Sequence, residues 1–164
     1  TRSLCDWSSD VCSSDLKRMR IHTETVVVPT AYSDFFAYVT DPDNLTRWSV
    51  NFILHLNKQP GGRHRVKTPQ GELGLEIRSD QGTGTIDMVF HGEQGRQFVV
   101  PTRAVPLGGD TLYLFTLILP DLPPDEFEKA KADLREELRL LREQASVGPN
   151  QNLASKEAAV SGLN

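Results

Sequence analysis

The stretch DPDNLTRWSVNF, Asp41 to Phe52, decides how the chain on either side of it folds. Pro42 disfavours helical geometry at Asp41, so a helix arriving from upstream stops there. Asp43 and Asn44 carry the side-chain oxygens that cap a new helix, and Asp43 to Trp48 is long enough for one or two turns. Trp48 then sets a large flat apolar ring just before the chain becomes extended. Immediately upstream, Tyr32, Phe35, Phe36 and Val39 recur at helical spacing, which predicts a short amphipathic helix over 30–40 with Thr30 or Ser33 as its cap. Before it, Ile21, Thr23, Thr25 and Val27 alternate with His22, Glu24, Val26 and Val28, a β-rich run closed by Pro29. The order is therefore one strand and two short consecutive helices.

Downstream, glycine and proline signals cut the chain into extended segments: Val50 to Gln59, Arg63 to Thr68, Glu72 to Arg78, a segment ending at Phe90, Gln97 to Val105, and Thr111 to Leu119. A tight turn centred on Asp80-Gln81 would set Leu75 opposite Ile86 and Leu73 opposite Met88, gathering Leu73, Leu75, Ile77, Ile86, Met88 and Phe90 on one face. Spacing this regular implies an antiparallel meander. The last element starts with Pro123-Pro124-Asp125-Glu126, and Phe127, Ala130, Leu134, Leu138 and Leu141 form its apolar stripe. A helix of about twenty residues at about 1.5 Å per residue spans about 30 Å, enough to cross a sheet. Lys131, Arg135, Arg139 and Glu128 form its solvated face.

The ends differ in composition from the centre. Residues 1–16, TRSLCDWSSDVCSSDL, repeat a Ser-Ser-Asp unit without periodicity and resemble a translated sequencing-adapter read; a disordered native leader is the alternative. Residues 17–144 form one domain, and 145–164 read as a polar, disordered tail. At 164 residues with 38% apolar content, the chain fits a single core. Its formal net charge of −4 offers no basic excess for nucleic acid. No apolar run is long enough for membrane insertion or a signal-peptide core, which points to a cytoplasmic protein. Both cysteines, Cys5 and Cys12, fall in the leader, and His22, His55, His64 and His91 lack the close spacing of a zinc motif, so neither metal nor cofactor is expected.

The segment VVVPTAYSDFFAYVTDPDNLTRW resembles the opening of the START-like or SRPBCC superfamily, and VKTPQGEL, GTIDMVF, VVPTRAVP and LFTLILP are similar to a small uncharacterised bacterial branch of it. That superfamily takes in Bet v 1-like allergens, lipid-transfer START domains and polyketide cyclase/dehydrase-like proteins. The resemblance covers roughly residues 19–144. It implies an α+β helix-grip fold: a curved antiparallel sheet of about six or seven strands wrapped on the C-terminal helix, with the two short helices closing a cavity between them. Such a cavity would hold a hydrophobic small molecule, for binding, transport or sequestration. Two other functions stay open: an enzyme of the cyclase/dehydrase kind, and a homodimeric interaction protein, because Leu112, Leu114 and Ile118 make the last strand apolar on its second face as well.

The residues expected to touch a ligand are Trp48, Phe52, His64, Val66, Leu75, Met88 and Arg103. Trp48 serves equally as a cavity wall or as a core aromatic pinning the short helices. Asp87 and Arg103 lie on sequential strands and would make a bidentate pair if they shared a face; the alternative is a solvated outer face. His64 could point inward and act as a base if a partner tuned it. Catalysis would require at least two of His64, Glu72, Asp87 and Arg103 to converge in one pocket.

Overall fold

Period-two alternation along the extended segments produces one seven-stranded antiparallel sheet. The computed structural model describes residues 19–120 and 122–147, so the leader and all but the first residues of the polar tail lie outside it. In chain order the elements are β1 (Arg20–Val28), α1 (Tyr32–Thr40), α2 (Pro42–Trp48), β2 (His55–Asn57), β3 (Arg63–Thr68), β4 (Gly71–Asp80), β5 (Thr85–His91), β6 (Gln97–Leu107), β7 (Asp110–Leu119) and α3 (Pro124–Ser146). The sheet order is β1-β7-β6-β5-β4-β3-β2, a meander whose last strand returns beside its first. The sheet is curved around α3, with α1 and α2 at its opening.

Local chemistry sets the helix boundaries. Asp41 is extended (ψ 115°), as Pro42 demands, and its carboxylate accepts the backbone N–H of Asp43 at 3.0 Å. The cap of α2 is thus Asp41 rather than Asp43 or Asn44; Asn44 instead donates its side-chain amide to Tyr38 O at the end of α1. Neither Thr30 nor Ser33 caps α1, whose N-cap is Ala31 without a side-chain bond. Thr30 is occupied elsewhere: its hydroxyl donates to Ala145 O and its carbonyl accepts from Thr111, tying the end of β1 to α3 and β7. Helix α3 runs through Ser146, past the expected boundary at 144, because Ala145 is buried in that contact.

Two strand expectations change. The segment 50–59 yields only the three-residue strand β2, since Ser49 to Phe52 are drawn onto α3 instead. Leu75 lies opposite Phe90 and Ile77 opposite Met88, because Gln81–Gly84 form a four-residue loop in place of a tighter turn. The displacement is even in residue count, so the six apolar side chains still share one face. Gly84 makes that loop possible: it sits at φ +74°, and a Cβ there would lie 2.0 Å from Ala104 O.

The core fills the concave side. Phe35, Trp48, Leu45, Leu75, Ile86, Phe90, Tyr113 and Leu141 are buried, and the rings interlock edge to face, Phe35 on Tyr113 and Trp48 on Phe115. Of the expected α3 stripe, Leu134, Leu138 and Leu141 are buried, with Phe127 and Ala130 half-buried nearer its start. None of the described helices is long and apolar enough to cross a membrane.

Candidate ligand-binding site

Cross-strand pairing sorts the sequence-predicted residues by face. His64, Leu75, Phe90 and Phe98 form one row across β3 to β6, and Leu56, Val66 and Leu73 form the row beside it. Both rows point to the concave side. Ile77, Met88 and Val100 make the next row inward, and Thr102 and Phe115 lie beyond it. All the expected ligand contacts except Arg103 are therefore on the α3 side of the sheet. Trp48 is fully buried, and its indole N–H has no hydrogen-bond partner.

The backbone of α3 lies close to β1 and α2. On β5 and β6 the concave face carries an aromatic wall. Phe52 meets Phe90 edge to face (centroids 5.3 Å, interplanar angle 89°), and Phe90 stacks on Phe98 (4.9 Å, 15°). Phe90 is buried, Phe52 is half-buried, and Phe98 leaves 42% of its surface open. Leu56, Leu73, Val100 and Leu117 continue this wall as partly buried side chains. The result is a continuous aromatic patch on the concave face, buried at Phe90 and exposed at Phe98, called the bay below.

The sequence reading overlooked a buried acid at the edge of this bay. Glu137 on α3 is only 5% exposed, yet it lies between Leu134, Leu138 and Leu141. One carboxylate oxygen accepts the backbone N–H groups of Asn51 (2.8 Å) and Phe52 (3.0 Å), and the other accepts the Ser49 hydroxyl (3.3 Å). Burial pushes its pKa up to about 7 against these three hydrogen bonds, and the Asp133 carboxylate raises it further. Its signal in the sequence was a carboxylate placed three residues after one leucine of the stripe and four before another.

Other polar groups inside the grip are already engaged. The Tyr113 hydroxyl donates to Thr102 Oγ1 (2.9 Å), which donates to Ile86 O (2.6 Å); burial raises the phenol well above its usual pKa, so it stays neutral. His64 Nδ1 accepts the Gln59 N–H at 3.4 Å. At the β1 edge, Glu24 accepts from His22 (3.0 Å) and Arg135 (2.9 Å), and the His22 bond, followed by Arg135, holds its carboxyl below the ordinary range.

Asp87 and Arg103 share a face, but it is the outer one. Asp87 pairs with Pro101 and Arg103 with Thr85, which makes the two diagonal neighbours. They line a shallow outer groove of about 240 Å³ together with Thr85, Leu114 and Thr116. His64 and Glu72 meet at a second groove of about 620 Å³ over Gly74, with Arg63, Arg65 and His91. The four candidates thus come together two by two, Asp87 with Arg103 on the outer face and His64 with Glu72 at the β3–β4 end of the sheet, where His64 lies in the concave row and Glu72 on the opposite face. Among the described residues no cluster of three or more His, Cys, Asp or Glu is placed to hold a metal.

The fold is shared with several solved structures. A START superfamily protein from Mycobacterium smegmatis matches with a TM-score of 0.56 at 17% identity, over 76% of this chain and 96% of that one. This chain has the START-like helix-grip fold. Ara h 8.0201 matches with a TM-score of 0.57 at 16% identity, over 78% of this chain and 98% of that one. The Aha1 dimer from Colwellia psychrerythraea gives 0.60 at 12% identity, over 79% and 98%. Identities this low establish the helix grip itself and leave its contents to this chain's own residues. No protein-family model matches the sequence, and no curated protein matches it.

Proposed function

We propose that the protein binds a hydrophobic small molecule between the sheet and α3, in the bay walled by Phe52, Phe90 and Phe98. The observation that carries this reading is the exposure of Phe98 on the concave face, at the end of a continuous aromatic stack. A half-open aromatic surface rimmed by leucine and valine is what an apolar ligand needs. At about 25 cal/mol per Å², a ligand burying roughly 300 Å² of apolar surface gains about 7 kcal/mol before its own loss of freedom. Binding of this kind suits transport or sequestration, and needs no catalytic group. A cyclase/dehydrase-like activity would draw on His64, the titratable side chain in the same cross-strand row as Phe90 and Phe98.

The test is titration with N-phenyl-1-naphthylamine, a neutral apolar dye that brightens on leaving water. Wild type should bind it, and Phe98→Ala should bind roughly tenfold more weakly, about the 1–2 kcal/mol of a half-buried aromatic contact. Ile118→Ser, on the outer face, should bind as wild type does. Equal affinity for wild type and Phe98→Ala would remove the bay from the account.

A second reading, a homodimer formed through the outer face of the sheet, rests on a separate observation. Ile21 (64% exposed), Val27, Val99, Val105 and Ile118 expose apolar surface across β1, β6 and β7, with the half-buried Leu112 and Leu114 between them. Sedimentation equilibrium would show a dimer that Ile118→Lys dissociates; a monomer at all concentrations would rule this surface out as a self-contact.

A further inference from the structure

Phe52 has two attachments, and they lie on opposite sides of the bay. Its ring abuts Phe90 on the sheet, while its backbone N–H is held by Glu137 on α3. Glu137 also holds the neighbouring Asn51 N–H and the Ser49 hydroxyl, so one side chain secures the whole link from α2 towards β2. The Asn51 side chain adds a longer bond to Asp133 O at 3.4 Å. We propose that Glu137 is a positioning residue for the ligand bay, a latch that fixes Phe52 against Phe90 while its carboxyl is protonated and loosens that wall once it ionises. This rests on the ligand-binding reading above and adds the control of one of its walls.

The physical basis is the asymmetry between the closed and the open latch. Closed, the carboxyl sits in a nearly dry site, on a helix that also buries Leu134, Leu138 and Leu141. Ionisation there forfeits the hydration of a full charge, which three uncharged donors only partly replace. The protonated carboxyl instead keeps both N–H groups on Oε1 and carries its proton on Oε2, 3.3 Å from Ser49 Oγ, which then accepts it. Open, the same carboxyl meets water and ionises at its ordinary pKa. The upward displacement to about 7 is in keeping with this. The charges on the surrounding elements do not offset it. Asp133, one turn earlier on α3, adds repulsion. Arg135 is turned to Glu24 of β1, Arg139 to Glu136 and Glu143, and Asp43 of α2 to Lys58. Opening is therefore disfavoured below the ordinary glutamate range and becomes progressively easier as pH rises to about 7.

Amide hydrogen exchange at Asn51 and Phe52 in the full chain, followed by NMR and corrected for base catalysis, tests this without any ligand. Protection in wild type should fall at least tenfold between pH 5 and pH 8, whereas Glu137→Gln, which keeps an acceptor for both N–H groups, should hold protection constant. Protection in wild type that is flat or rises with pH, or an equal fall in Glu137→Gln, would overturn the latch. Dye affinity over the same range should weaken several-fold in wild type and not in Glu137→Gln; a fall in protection without a change in affinity would show that the latch does not control the bay. Should Phe98→Ala leave dye binding intact, the bay itself is wrong, and the exchange result still decides whether Glu137 holds the link.

Discussion

Replacing Glu137 by glutamine should convert a pH-dependent stability into one that Glu137 no longer influences, and the size of the effect follows from its burial. The carboxyl titrates near 4.5 when unfolded and near 7 in the fold. A group whose pKa is raised on folding contributes stability that is complete below the unfolded value and is lost as pH rises through the folded value. For Glu137 the loss runs from about pH 4.5 to somewhat above pH 7. At 1.36 kcal/mol per unit, the displacement amounts to about 3 kcal/mol. Urea unfolding at pH 5 and pH 8 measures most of it, about 2.5 kcal/mol: with an m-value of about 2 kcal/mol/M, the midpoint of Glu137→Gln relative to wild type should rise by about 1.2 M between the two. Taking the difference between the two proteins cancels carboxylates displaced the other way, such as Glu24, which titrate alike in both. The reasoning fails if the difference is independent of pH, or if wild type gains on the variant as pH rises.

Three further outcomes follow from the packing. Gly84→Ala should destabilise by more than about 2 kcal/mol, through strain at positive φ and collision with Ala104 O, whereas Gly95→Ala, with a similar φ and open space around it, should cost about 1 kcal/mol; thermal unfolding compares the two. Asp41→Ala should cost about 1 kcal/mol by removing the cap of α2, read from chemical denaturation. Trp48→Phe should destabilise less than the usual large-to-small change, because it also removes a buried N–H with no partner, and the same unfolding measurement reports it.

The fold was legible in the sequence where local chemistry and period agreed. Pro42 stops α1, the leucine spacing of α3 aligns Leu134, Leu138 and Leu141, and period-two alternation separates Leu75 and Phe90 from Gly74 and His91. Register was less legible, because it depends on loop length: Gln81–Gly84 needs four residues, and nothing local distinguishes that from a two-residue turn. Whether Asp87 and Arg103 share a face turned on the β5–β6 register, which likewise depends on the loop between the strands. Capping by Thr30 was plausible locally and lost to a tertiary partner, Ala145, far away in sequence. For the candidate site, the apolar wall could be assembled from alternation, but the role of Glu137 depends on bonds to Ser49, Asn51 and Phe52 more than eighty residues away, which no local pattern encodes.

The central claim, an apolar ligand seat at Phe52, Phe90 and Phe98, is tested most directly by mapping amide shifts on titration with N-phenyl-1-naphthylamine. Shifts centred on Phe52, Leu73, Phe90 and Phe98, with Ile21, Val105 and Ile118 unmoved, would uphold it. Shifts confined to the outer face, with the aromatic wall silent, would contradict it.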